Sequence, residues 1–166
     1  MVLRIAFAVF DDIPDGGAVA HRVQMLATGL ASLGHEVHII APCKFSGRPL
    51  SAEIDGVMVH WGAYIDRRMS HTVRASARKR YLMYKTCRLL LRQGLDWLVL
   101  YGIGLEGLPF MLLGKIAHCK VVADNCDISY PSKQSSFKVL LQIISDRIGH
   151  LLVTPVWTLT LSSAAV

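Results

Sequence analysis

Residues 3–10 (LRIAFAVF) are apolar apart from Arg4, and Asp11 and Asp12 end the run. A short, β-prone apolar run closed by loop residues predicts a buried strand. Residues 11–17 (DDIPDGG) are a loop by their Asp, Pro and Gly content. The period then changes. Val19, Val23, Leu26, Leu30 and Leu33 recur three and four residues apart, which predicts an amphipathic helix over residues 18–33, with Gly34 where a C-cap glycine belongs. Residues 36–41 (EVHIIA) predict a second strand, closed by Pro42. A polar loop with Gly47 and Pro49 follows, and the Asp55-Gly56 turn leads into a short third strand at 57–61. Further along, the pattern predicts helices over 72–92, 107–118 and 136–150, and strands at 97–101, 120–123 and 157–161. Strands alternating with helices predict an α/β fold. Its sheet is parallel, of about six strands, with helices on both faces and right-handed crossovers. Ligands of such sheets bind at the carboxyl ends of the strands, near the switch in strand order. The loops at 11–17, 41–45, 101–107 and 124–130 are therefore the places to look for a site.

Composition narrows this picture. The 166 residues suffice for one domain with a real core. The chain is 52% hydrophobic and 18% charged, with a mean hydropathy of +0.40, more apolar than a self-contained soluble domain usually is. Strands buried on both faces give that balance, and so does a surface that leans on a partner or a membrane. The first apolar run is too short and too soon interrupted for a signal peptide. The uncharged tail at 151–166 is shorter than the ~20 residues of a spanning helix and contains Pro155, so it reads as a buried strand. Cys43, Cys87, Cys119 and Cys126 show no zinc-ligand spacing and read as reduced thiols of a cytoplasmic protein. No metal and no cofactor are expected. Gly16-Gly17 lacks the dinucleotide spacing, the second strand ends in Ala41-Pro42 rather than a ribose-binding acid, and no phosphate-binding P-loop occurs.

The net charge is +6, and half of the 18 Lys and Arg residues lie between Arg67 and Arg92, where no acid occurs. On the helix predicted there, Arg74, Arg78, Tyr81, Lys85, Arg88 and Arg92 share one face, with Leu82, Met83, Leu89 and Leu90 opposite. Three readings stand: a solvated face, an anionic membrane surface, or nucleic acid. No stacking pattern or nucleic-acid motif accompanies the charge, so no nucleic acid is expected.

Gly16-Gly17 follows the first strand and opens the first helix. Glycine there permits positive φ and close approach of a ligand to the N–H groups, and the helix N-terminus favours an anion. A tight turn without a ligand is the alternative. His21 and Arg22, one turn into the helix, are placed to reach a phosphate or an acceptor, or else form a solvated face.

The stretch 4–42 resembles the opening of family 4 glycosyltransferases of the GT-B fold, through Gly16-Gly17-Ala18 and Gly34-His35-Glu36-Val37. The likeness continues more weakly through 96–101, 108–117, 120–127 and 158–163. It implies the Rossmann-like, acceptor-side half of a two-domain enzyme, whose glycine turn meets the reacting sugar and diphosphate. A missing or separate C-terminal domain would bind the nucleotide sugar, and the hydroxyl acceptor would be a glycan or lipid-linked precursor. Such enzymes usually work without a metal and retain anomeric configuration. On this reading the chain alone is incomplete, and a non-catalytic binding or anchoring subunit is the alternative. The thiol reading gives a cytoplasmic location, peripheral to the inner face of the membrane if the basic helix docks there. The catalytic loops depart from the family. Cys126 stands where many members have histidine, within Asp124-Asn125-Cys126-Asp127, and Tyr101-Gly102 occupies a second such place. Asp124 and Asp127 would bind a sugar hydroxyl, act as a base, or cap the following turn.

Overall fold

The computed structural model describes residues 1–42, 49–62, 73–101 and 107–124. These form β1 (Arg4–Ala8), α1 (Ala18–Ser32), β2 (Glu36–Ala41), β3 (Ser51–Ile54), β4 (Val57–Trp61), α2 (Val73–Arg92), β5 (Trp97–Tyr101), α3 (Leu108–Ile116) and β6 (Lys120–Asp124). One six-stranded sheet has the order β3-β4-β2-β1-β5-β6, and every neighbouring pair is parallel except β3–β4. The α/β class, the strand number and the parallel character agree with the sequence reading.

The sixth strand is not the one expected. β3 lies in the stretch read as polar loop, whereas the strand predicted at 157–161 and the helix at 136–150 fall outside the described residues. β3 and β4 form a hairpin closed by Asp55 (φ 51°) and Gly56 (φ 77°). Positive φ at both central residues of a two-residue loop is the turn that matches the twist of paired strands, and Asp-Gly is its usual sequence.

Alternation along the strands builds two cores. Ile5, Phe7 and Val9, with Val37, Ile39 and Ala41 of the next strand, pack against Ala20, Val23 and Ala27 of α1. Ala6, Ala8, Ile40, Leu98 and Leu100 pack against Met83, Cys87, Leu90 and Leu91 of α2 and against Phe110 and Met111 of α3. The helices therefore lie on both faces, as a parallel sheet requires. At Gly114 of α3 an added Cβ would meet Val121 Cγ2 at 2.4 Å, so that helix lies directly on β6. Leu89 departs from the expected pattern. It was placed on the apolar side of the second helix but is half exposed on the basic side, and the buried stripe is Met83, Cys87, Leu90 and Leu91.

Gly34 caps α1 as its position predicted. Its φ is 85°, its N–H donates to Ala31 O at 2.9 Å, and the His35 N–H donates to Leu30 O at 3.3 Å, the paired bonds of a Schellman motif. The strand order reverses at β1. The chain runs outward through β2 to β4, then crosses by α2 to the other side of β1. The carboxyl ends of β1 and β5 thus flank the switch point.

Candidate functional site

At that switch point the loop after β1 leads back into α1. Ile13 is buried, and the Trp61 indole N–H donates to its carbonyl oxygen at 2.8 Å, tying the loop to the end of β4. Inside the loop the Asp11 carboxylate accepts from the Asp12 N–H at 2.9 Å and from the Gly17 N–H at 3.2 Å. Gly17 is the N-cap of α1, in extended backbone with φ −74°. The donor that the sequence reading offered to an anionic ligand therefore already holds an internal carboxylate. A phosphate binding through the Gly17 N–H would have to displace Asp11.

The reason for the two glycines also differs from the expected one. Positive φ occurs among the described glycines at Gly34, Gly56 and Gly94, and not at Gly16 or Gly17. Gly16 is required by close approach: a Cβ there would lie 2.2 Å from Asp12 O and 2.6 Å from Ala20 Cβ. At Gly17 a Cβ would meet only Asp11 Oδ2, at 3.8 Å. Gly16 therefore shapes the turn, while Gly17 leaves its exposed side open.

Three residues from three elements meet beside this turn. Tyr101 and Asp124 end β5 and β6 and are register partners, so they lie side by side on one face of the sheet. Tyr101 belongs to the core beneath α1, which fixes that face as the α1 side. Arg22 reaches over from α1. One of its amino groups (Nη2) donates to Asp124 Oδ2 at 3.1 Å, and its guanidinium carbon stands 5.8 Å from the Tyr101 ring centroid. Half of the Arg22 side chain stays exposed, against about a quarter of Asp124. The accessible members are a cation and a carboxylate, with the Tyr101 ring buried beneath the guanidinium. Such a pair can engage a polyhydroxylated ligand, the carboxylate accepting from hydroxyls and the guanidinium donating to oxygen.

Of the residues singled out from sequence, the structure thus brings Arg22, Tyr101 and Asp124 together beside Gly16 and Gly17. Ala18 and His21 are exposed on the first turn of α1, where the His21 backbone N–H donates to Gly17 O at 3.1 Å. Gly102, Asn125, Cys126 and Asp127 lie outside the described residues. Sequence reasoning missed two participants. Asp11 is the carboxylate on the turn's own N–H, and its one signal is an acid six residues before the N-cap. Trp61 is the tie on the loop, signalled by an indole at the carboxyl end of a strand.

The two described thiols, Cys87 and Cys119, offer no nucleophile. Burial, then mutual repulsion with Cys119, pushes the Cys87 thiol up to about 12; burial, then Asp96, pushes Cys119 up to about 11. Both stay protonated at neutral pH. Among the described residues no group of three His, Cys, Asp or Glu side chains is placed to hold a metal ion, and no helix is long and apolar enough to cross a membrane.

A scan against protein-family models finds no match for the chain, and a search of curated proteins finds none either.

Proposed function

We propose that the chain supplies the acceptor-side half of a sugar-transferring enzyme, holding a hydroxyl acceptor at the carboxyl edge of its sheet. The observation that carries this reading is the Arg22–Asp124–Tyr101 group at the switch point. The likeness of residues 4–42 to family 4 glycosyltransferases supports it. On this reading the Asp124 carboxylate orients an acceptor hydroxyl, the buried Tyr101 ring backs the Arg22 guanidinium, and Arg22 balances the carboxylate and meets negative charge arriving from the donor side. The nucleotide sugar is bound by a second, donor-binding domain, and transfer needs both.

Calorimetry with alkyl glycosides, as simple hydroxyl acceptors, tests the proposal against UDP- and GDP-sugars. Weak acceptor binding that falls about tenfold in Arg22→Ala and in Asp124→Asn is expected. Micromolar binding of a nucleotide sugar to the chain alone would contradict the division of labour. One observation favours a second reading, that of a binding module without transfer activity: the Gly17 N–H is taken by Asp11, so a diphosphate approaching that turn meets a carboxylate. Asp11→Asn separates the two. Under the enzymatic reading it strengthens pyrophosphate binding; under the binding-module reading pyrophosphate remains unbound.

A further inference from the structure

α2 and α3 lie side by side on the face of the sheet opposite α1, with the Tyr84 and Phe110 rings meeting edge to face at a centroid distance of 6.2 Å. Their outward sides form one surface of the molecule. On α2 the outward arc carries Arg78, Tyr81, Lys85, Arg88, Leu89 and Arg92, all exposed, since residues three, four and seven apart share a helix face. α3 adds Leu112, Lys115 and Ile116. The large apolar side chains on this surface are far from covered: Tyr81 is 64% exposed, Leu89 and Leu112 50%, and Ile116 76%. Neither helix contains an Asp or a Glu. Among the described residues no carboxylate pairs with Arg78, Lys85, Arg88 or Arg92.

We infer that this α2–α3 surface is a docking face for a bilayer carrying anionic lipid. The inference stands apart from the proposed sugar site, which lies across the sheet on the α1 side. Two features decide the partner. Unbalanced cations draw the surface to negative charge, which a solvated face would normally intersperse with acids. The apolar residues among them choose between the two anionic macromolecules. A nucleic-acid backbone would leave Leu89, Leu112 and Ile116 in water. The boundary between headgroups and acyl chains buries such residues while the headgroups meet the cations. Tyrosine suits the same depth, with its ring in the apolar layer and its hydroxyl among headgroups. α2, at 20 residues, is about 30 Å long and lies along the plane of the bilayer rather than across it.

Vesicle flotation of the full chain tests this, with phosphatidylcholine alone against phosphatidylcholine containing about a third phosphatidylglycerol. The expected result is partitioning at least about tenfold stronger onto the anionic vesicles at low salt, weakening as added salt shortens the Debye length and screens the attraction. Charge reversal at Lys85→Glu and Arg88→Glu together should abolish retention. Leu89→Ser with Ile116→Ser should cut it about threefold or more while leaving its salt dependence in place. All four positions are exposed, and unchanged far-UV circular dichroism checks that each variant folds. The salt titration of the unmodified chain needs no variant. Equal retention on neutral vesicles, no retention on anionic ones, or retention unmoved by both pairs of substitutions would overturn the inference. So would binding of duplex DNA that survives Leu89→Ser with Ile116→Ser while anionic vesicles are ignored.

Discussion

Arg4 and Arg22 stand at opposite edges of the same sheet, and their surroundings differ. At the amino edge the Arg4 guanidinium grips Glu36 with two bonds of 2.8 Å and also donates to the Gln93 carbonyl. The Arg4 backbone N–H donates to Asp96 Oδ2 at 2.8 Å, and its carbonyl accepts from the Asp96 N–H at 2.9 Å. Glu36 continues the network to His38 Nε2 at 3.1 Å, and His38 Nδ1 lies 3.1 Å from His60 Nε2. Polar groups from three strands and the turn after α2 thus satisfy one another. At the carboxyl edge, among the described residues, Arg22 makes one ion pair and keeps half of its side chain in solvent. Closure at the amino edge serves stability, since each polar group there has its partner before any ligand arrives. The exposed half of Arg22 leaves the carboxyl edge the looser one.

The largest effect expected on stability sharpens the contrast by locating the one structural residue of the looser edge. Gly16→Ala forces a Cβ against Asp12 O at 2.2 Å, backbone that has little room to give. A loss of about 1–3 kcal/mol is expected in urea unfolding. Gly17→Ala, whose Cβ meets only Asp11 Oδ2 at 3.8 Å, should cost about 0.5 kcal/mol. Equal costs would mean that the turn is fixed by something other than the close approach at Gly16.

Next in size is Arg4→Ala, expected to cost about 1–2 kcal/mol because the paired bonds to Glu36 and the bond to Gln93 go together. The value stays at that level because Glu36 is nearly half exposed and water screens the pair. Arg4→Lys should recover only part of it, since an ammonium cannot form the two parallel bonds. Full recovery by lysine would reduce the network to simple charge.

Acid is the third probe, acting on the network that runs from Glu36 at the amino edge through His38 to His60 further along the sheet. Burial, and then the charge of His38 beside it, hold the His60 imidazole down to about 4 from its usual 6.5. The unfolded chain takes up this proton as pH falls through 6.5, and the folded chain takes it up only near 4. Stability from the neutral His60 is thus complete above pH 6.5 and lost progressively toward pH 4. Glu36 adds to the loss at still lower pH, because its bond to Arg4 holds the carboxyl below the usual range against the opposing effect of burial. Discounted for partial exposure, the His60 contribution is about 1–2 kcal/mol. His60→Asn should flatten the stability profile between pH 6.5 and 4, and an imidazole titrating near 6.5 by NMR would remove the argument.

The elements of this fold were legible wherever one period dominated a segment. Ala18 to Gly34 shows why: the three-and-four spacing and the glycine after it correspond to a helix closed by a Schellman motif. β3 was not legible because four residues at a sheet edge, alternately exposed and half-buried, carry little apolar signal. The Asp55-Gly56 turn announced a hairpin, but its first strand looked like loop. Leu89 was misplaced because its apolar character was read ahead of its spacing: four residues from Lys85 and three from Arg92, it shares their face. At the site, the carboxyl-edge location followed from topology alone. The grouping of Arg22 with Asp124, 102 residues apart, rests on the β5–β6 register and the seating of α1, which local spacing does not encode. The occupation of Gly17 by Asp11 was hidden for a similar reason. A glycine turn at a helix start signals an anion without saying whether the chain provides it.

Of the two arginines the smaller stability effect is expected at Arg22, and it carries the comparison. An exposed ion pair with one hydrogen bond contributes about 0.5 kcal/mol, and the cation–ring contact at 5.8 Å, close to the limit of such contacts, about 0.5 kcal/mol at most. Arg22→Ala should therefore lower stability by no more than about 1 kcal/mol, below Arg4→Ala in the same urea titration. A double-mutant cycle with Asp124→Asn should give a coupling under about 1 kcal/mol. If instead Arg22→Ala destabilised the chain as much as Arg4→Ala, the carboxyl edge would be a second structural network, and the reason for placing a ligand there would disappear. A small stability cost joined to a large loss of glycoside binding is the pairing that structure alone would not produce. It would mark Arg22 as a residue held in place for what arrives from outside the chain.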